Sequence, residues 1–176
     1  SFHLIVIYHT MKCVQLQCER SSHGKLWFFS EHKMRIFPLS QHRGGYGAVI
    51  TRDGEIVAKL YEGFRNTTNN RMELSGVLHA LKWFKEPSNI IIYSDSQYIV
   101  NSINNGSARK WFQEQDYSKK NLDIWIEILD LIDWNKNVEF RWVKGHADNE
   151  GNILVDMLAQ HACNCLNLKT DICISD

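Results

Sequence analysis

Four successive apolar residues, Ile90-Ile91-Ile92-Tyr93, stop abruptly at Ser94-Asp95-Ser96. A strand with one wet face alternates apolar and polar residues, so an unbroken run marks a central strand covered on both faces. A chain that buries such a strand must supply packed layers above and below it. With 176 residues and 44% hydrophobic content, this one can build a single sizeable core. The acid just past the strand adds a second constraint. An uncompensated charge there costs several kcal/mol, so Asp95 needs a cation or a set of hydrogen bonds.

The flanking segments say which layers are available. Gly47 to Tyr61 reads as two strands around an Asp53-Gly54 turn, a hairpin. Leu74, Val77, Leu78, Leu81 and Phe84 fall on one helical face that begins near Asn70 and is closed by Pro87. After Asp95 the chain turns helical to about Asn105-Gly106. A Lys- and aromatic-bearing connection follows, from Arg109 to Lys120, then an amphipathic helix around Leu122 to Ile132. Val138 to Val143 is a strand with Val138, Phe140 and Trp142 on one face. A last helix, Asn152 to His161, carries Leu154, Met157, Leu158 and His161 on one side. Antiparallel strands followed by alternating helices and strands form a mixed sheet with helices packed on it. Its loops at the strand ends are where a site belongs.

Composition excludes little and narrows much. Twenty basic side chains balance 20 acidic ones, so any nucleic-acid binding rests on local patches rather than a global field. The apolar runs fall far short of the ~20 residues that span a bilayer. Ser1 to Tyr8 has no basic leader or small-residue cleavage site, so the expectation is a cytoplasmic protein without a membrane partner. The five cysteines, Cys13, Cys18, Cys163, Cys165 and Cys173, make no paired zinc-type spacing and read as free thiols.

Two further acids interrupt apolar surroundings: Glu73 in the opening of the first helix and Asp156 between Val155 and Met157 in the last. Taken singly, Glu73 reads equally well as a favourable helix N-terminal acid and Asp156 as a solvated surface residue. If they meet Asp95 in space, clustered carboxylates bind hard divalent cations, which activate a water and stabilise the leaving oxygen in phosphodiester cleavage.

The motifs Thr67-Thr68-Asn69-Asn70-Arg71-Met72-Glu73-Leu74, Tyr93-Ser94-Asp95-Ser96-Gln97-Tyr98, Trp142-Val143-Lys144-Gly145-His146-Ala147, and Gly151-Asn152 leading to Asp156-Met157-Leu158-Ala159 come in a fixed order. In that order they closely resemble the successive motifs of type 1 ribonucleases H. Gly44-Gly45-Tyr46-Gly47-Ala48 and Asn121-Leu122-Asp123-Ile124-Trp125 extend the likeness from Gly44 to His161. The resemblance implies an α/β fold with a mixed five-stranded sheet and helices on both faces. It also implies a monomeric endonuclease that cuts the RNA strand of an RNA–DNA hybrid. Glu73, Asp95 and Asp156 would be catalytic and would hold magnesium, with manganese as an alternative, and His146 would assist proton transfer or product departure. Alone, a loop histidine is an ordinary surface residue. Asn69, Asn70 and Gln97 would meet the hybrid in its minor groove, where the 2′-hydroxyl distinguishes RNA from DNA; read alone, they are turn-forming or capping residues. The Arg109 to Lys120 segment, with Lys110 and Trp111, resembles a shortened basic protrusion that tracks phosphates. Glu114 and Asp116 dilute it toward a plain solvated loop.

The pattern breaks before Gly44. The family's first strand ends in Asp-Gly-Ser, and no such aspartate is present near Met34-Arg35-Ile36. One reading makes Lys25 to Ser30 the first strand and Glu31 the substitute metal ligand; another is an insertion or frameshift upstream. The expected domains are therefore an unassigned extension at 1–24, a nuclease-like domain at 25–162 and a loosely attached tail at 163–176. Leu4 to Tyr8 could pair as an extra strand. The competing functions are an active hybrid endonuclease, a catalytically impaired hybrid-binding module, and a nuclease domain cut from a larger polymerase polyprotein.

Overall fold

The computed structural model describes residues 3–11, 18–20, 26–28, 43–144, 150–165 and 167–171. Before residue 43, and at 150–153 and 156, it describes the backbone alone. The main sheet holds β1 (His3–Met11), β4 (Arg43–Arg52), β5 (Glu55–Arg65), β6 (Asn89–Ser94), β7 (Asn137–Trp142) and the two-residue β8 (Lys169–Thr170), in the order β7-β6-β1-β4-β5-β8. β2 (Cys18–Arg20) and β3 (Leu26–Phe28) form a separate two-stranded sheet. The helices are α1 (Asn69–Trp83), α2 (Gln97–Asn104), α3 (Ser107–Gln113), α4 (Leu122–Trp134) and α5 (Glu150–Asn164). Among the described residues, no helix is long and apolar enough to cross a membrane.

The expected mixed sheet is present, with β8 as a short sixth strand at its edge. β4 and β5 form the hairpin, and the turn residues Asp53 and Gly54 sit at φ 52° and 85°, as a two-residue turn of this hand requires. The first strand is not where the sequence placed it. Leu26–Phe28 lies outside the main sheet, and His3–Met11, treated as part of an extension, runs through its middle, antiparallel to β4 and parallel to β6. The nine-residue strand built on Leu4 to Tyr8 satisfies backbone groups on both sides. The tail also differs from expectation: β8 pairs with Phe64 and Arg65 of β5. Cys165 is a free thiol as expected, whereas Cys163 is disulfide-bonded.

Successive strand residues face opposite sides, and the glycines show which helix covers each. A Cβ on Gly44 would strike Met72 of α1, whereas one on Gly47 would stand 2.6 Å from the Val155 carbonyl oxygen of α5. α1 and α5 therefore cover opposite faces. On the α1 face, Ala48, Ile50, Ile90 and Ile92 meet Leu74, Val77, Leu78 and Leu81, and Trp125, Ile128 and Leu129 of α4 join the same cluster. Each such large side chain contributes about 1.5–3 kcal/mol by leaving water.

The α5 face is built differently. Val155, Ala159 and Ala162 are its buried stripe, and Met157 is 62% exposed, so the expected face through Leu154, Met157, Leu158 and His161 is rotated. The cause is the floor beneath it. Gly45, Gly47 and Gly63 present bare backbone, and small helix residues approach it more closely than leucines could. β6 is buried at Ile90, Ile92 and Ser94 but only half-buried at Ile91 and Tyr93, so its second face is thinly covered.

This packing predicts that Gly47→Ala lowers stability by about 1–3 kcal/mol, because backbone atoms must move to admit the methyl group. Urea unfolding measures it. An unchanged midpoint would show that α5 does not seat on β4 in this way.

Candidate active site

Asp95 leaves β6 inside a turn braced from two sides. From β7, Trp142 Nε1 donates to the Asp95 carbonyl oxygen at 3.2 Å, and the Val143 N–H donates to the Ser94 carbonyl at 2.9 Å. From within, the Ser96 N–H donates to Ser94 Oγ at 3.0 Å. Asp95 itself is half-buried.

Ser96 links this turn to α1. Its hydroxyl accepts the Ile99 N–H at 3.4 Å, capping α2, and donates to Glu73 Oε2 at 2.5 Å. A hydroxyl has one proton and two lone pairs, so it performs both tasks at once. Glu73 lies beyond the first turn of α1, which contains no acid and is capped by Thr68 accepting the Arg71 N–H at 3.3 Å. The reading of Glu73 as a helix N-terminal acid is thereby replaced: it faces the Asp95 turn.

Asp156 is carried by the turn of α5 that sits on Gly47, next to Val155. Gly47 is paired with His9 of β1, and the preceding β1 residue, Tyr8, is paired with Ser94. The α5 turn and Asp95 are thus separated by the width of β1. The Asp156 side chain, His146 and Glu31 lie outside the described residues.

A feature the sequence reading missed lies on the other side of α1. Arg71 is buried, and its Nη1 and Nη2 donate to the two carboxylate oxygens of Asp123 at 2.9 and 2.7 Å. Its Nε donates to Asp171 Oδ2 at 2.8 Å, and Thr67 Oγ1 donates to the same oxygen at 2.6 Å. The hydrogen bond to Asp123 is the main cause that raises the Arg71 guanidinium above its ordinary value. Burial pushes the Asp123 carboxyl up, but the hydrogen bonds and charge of Arg71 outweigh this and hold it below the usual value. The partners are 52 and 100 residues from Arg71, so no local pattern announces them.

The ribonuclease H family model matches residues 38–164. The chain belongs to the ribonuclease H family. Ribonuclease H of Desulforamulus reducens is 42% identical over 134 residues, covering 73% of this chain and 83% of the relative. Ribonuclease HI of a Synechocystis species is 42% identical over 121 residues, covering 66% and 75%. In fold, the chain matches LC9-RNase H1, described as a type 1 RNase H with the type 2 active-site motif. That match has a TM-score of 0.65 at 24% identity, over 92% of this chain and 72% of the other.

In this ribonuclease H, Asn69 and Asn70 open α1 and Gln97 opens α2, all exposed beside the Glu73–Ser96 contact. The basic segment is less free than its sequence reads. Gly106, at φ 77°, precedes a new helix, α3, so the expected connection is helical as far as Gln113. Trp111 packs edge-on against Trp125 at 6.3 Å, with Lys119 Nζ 6.0 Å from its ring centroid. Arg109 is forked onto Asp133, Lys110 lies 3.8 Å from Glu114, and Lys119 lies 3.4 Å from Asp116.

Ser96→Ala removes both the α2 cap and the Glu73 contact. It lowers stability by about 1 kcal/mol, and thermal unfolding measures the loss. Asp123 adds a pH dependence. Its folded pKa is lowered, so its contribution is complete above the unfolded value of about 3.9 and disappears as pH falls through the folded value. Melting temperature should therefore drop below about pH 4, and Asp123→Asn should start lower at neutral pH and show a shallower acid slope.

Proposed function

We propose that this chain is an endonuclease that hydrolyses the RNA strand of RNA–DNA hybrids, with Glu73, Asp95 and Asp156 as its magnesium-binding carboxylates. The observation that carries the reading is the Glu73–Ser96 hydrogen bond. It brings an acid from α1 to the turn that holds Asp95, two segments joined by no local sequence relation. Family membership supplies the reaction class.

Ribonucleases H work with a divalent cation. The donors here suit a hard one, because Glu73 and Asp95 offer oxygen and no sulfur. Among the described residues, no group of three or more His, Cys, Asp or Glu forms a ready cage, so the set needs Asp156 from α5. When bound, the cation would supply an activated water and neutralise charge on the departing oxygen. The chain's own contribution is placement. Ser96 directs one Glu73 oxygen, the β7 bonds hold the Asp95 turn, and the glycine floor sets the height of α5. Asn69, Asn70 and Gln97 offer amides beside those acids, suited to the RNA 2′-hydroxyl. Lys110 and Trp111 would meet the phosphates, and His146 would move a proton at the leaving oxygen.

One observation favours a second reading, a hybrid-binding module with impaired chemistry. β1 occupies the middle of the sheet, and its sequence, His-Leu-Ile-Val-Ile-Tyr-His-Thr-Met, contains no acid. The reading of Glu31 as the substitute ligand rests on Lys25 to Ser30 being the first strand of the sheet, and Leu26–Phe28 lies outside that sheet.

Cleavage of a labelled RNA–DNA hybrid in magnesium, then in manganese, separates the two. Under the first reading the chain cuts the RNA strand and Asp95→Asn abolishes cutting; cutting that survives in this variant would refute the assignment. Salt-dependent hybrid binding without cleavage would establish the second reading.

A further inference from the structure

We infer that Asp171, beyond the last helix, is a positioning residue for recognition of the hybrid, acting through Thr67 and Arg71 on Asn69 and Asn70. The inference rests on the function proposed above and on the role it gives those two asparagines.

One oxygen of Asp171 accepts from Thr67 Oγ1 at 2.6 Å and from Arg71 Nε at 2.8 Å. Thr67 precedes the helix cap Thr68 and Arg71 follows it by three residues, so a single atom grips both ends of the loop-to-helix junction. Thr68, Asn69 and Asn70, the three residues between the two grips, are all exposed. The opposite side of α1 is held separately, by Glu73 on Ser96. The first turns of α1 therefore span two anchors. One orients a carboxylate, and the other orients the amides.

Simple stapling does not require this chemistry. The side chains of Arg71 and Asp171 are only 7% and 9% exposed, and taking such charges out of water is costly. Apolar residues of similar volume would join the same segments at no greater cost. Ions and forked hydrogen bonds add direction, which an amide aimed at one hydroxyl needs and a core does not. The segment carrying Asp171 is also joined to β5, by the two-residue β8 and by the Asp171 N–H donating to the Arg65 carbonyl at 3.1 Å, and Lys169 pairs with Glu62.

The test compares binding of an RNA–DNA hybrid with that of a DNA duplex of the same sequence, by fluorescence anisotropy without divalent metal, using the full chain. Asp171→Asn keeps size and removes charge; Thr67→Val removes the other grip. Each should weaken hybrid binding about tenfold, the size of one ordinary hydrogen bond, while leaving DNA binding in place, so that the preference falls. Asp171→Glu should restore much of the preference. Val77→Ala, a core change away from the cluster, lowers the melting temperature and should not move it. If Asp171→Asn and Thr67→Val melt earlier but keep the full preference, Asp171 is a structural staple and the inference is overturned. If the unaltered chain shows no preference for the hybrid, the proposed function fails and the inference fails with it.

Discussion

The arrangement of this molecule depends on how closely α5 lies on the sheet. Gly45, Gly47 and Gly63 leave bare backbone under Val155, Ala159 and Ala162, and at Gly47 even a methyl group would meet the helix carbonyl at 2.6 Å. Larger floor residues would raise the helix and carry Asp156 away from the strand ends. On the opposite face Gly44 makes a close approach to the Thr67 and Met72 side chains, and branched side chains between the sheet and α1 and α4 fill the core.

Bringing acids together from separate elements is unfavourable unless something organises them, since like charges repel and buried carboxylates lose hydration. Ser96 offsets part of this by donating to Glu73 while capping α2, and β7 holds the neighbouring turn through Trp142 and Val143. The Arg71 cluster lies on the far side of α1, where its carboxylates are matched by a guanidinium rather than by one another. α1 therefore separates two kinds of carboxylate. Those around Arg71 are neutralised within the protein, and Glu73 is held toward the Asp95 turn by the Ser96 hydroxyl.

Much of the fold could be read from local pattern. The apolar run before Ser94, the Asp53-Gly54 turn and the helical spacing of Leu74, Val77, Leu78 and Leu81 each report a short-range preference, and each element forms where its pattern lies. Pattern failed where a partner decides. Leu4 to Tyr8 and Leu26 to Phe28 are both strand-like, but the first fills the slot between β4 and β6, paired on both sides, and the second pairs with β2 outside the main sheet. Likewise, the apolar side of α5 is not its buried side, because the glycines beneath select small residues.

By itself the sequence determined the element types, the hairpin, the family motifs and the positions of Glu73, Asp95 and Asp156 within them. These rest on interactions a few residues long or on motif order, which a linear chain displays. Only the tertiary structure decided that Ser96 joins Glu73 to the Asp95 turn, that Trp111 is held against Trp125, and that Arg71 is shared by Asp123 and Asp171. Those contacts bridge 14 to 100 residues of chain. A hydrogen bond or ion pair across that separation depends on how whole elements pack, and no local preference encodes it.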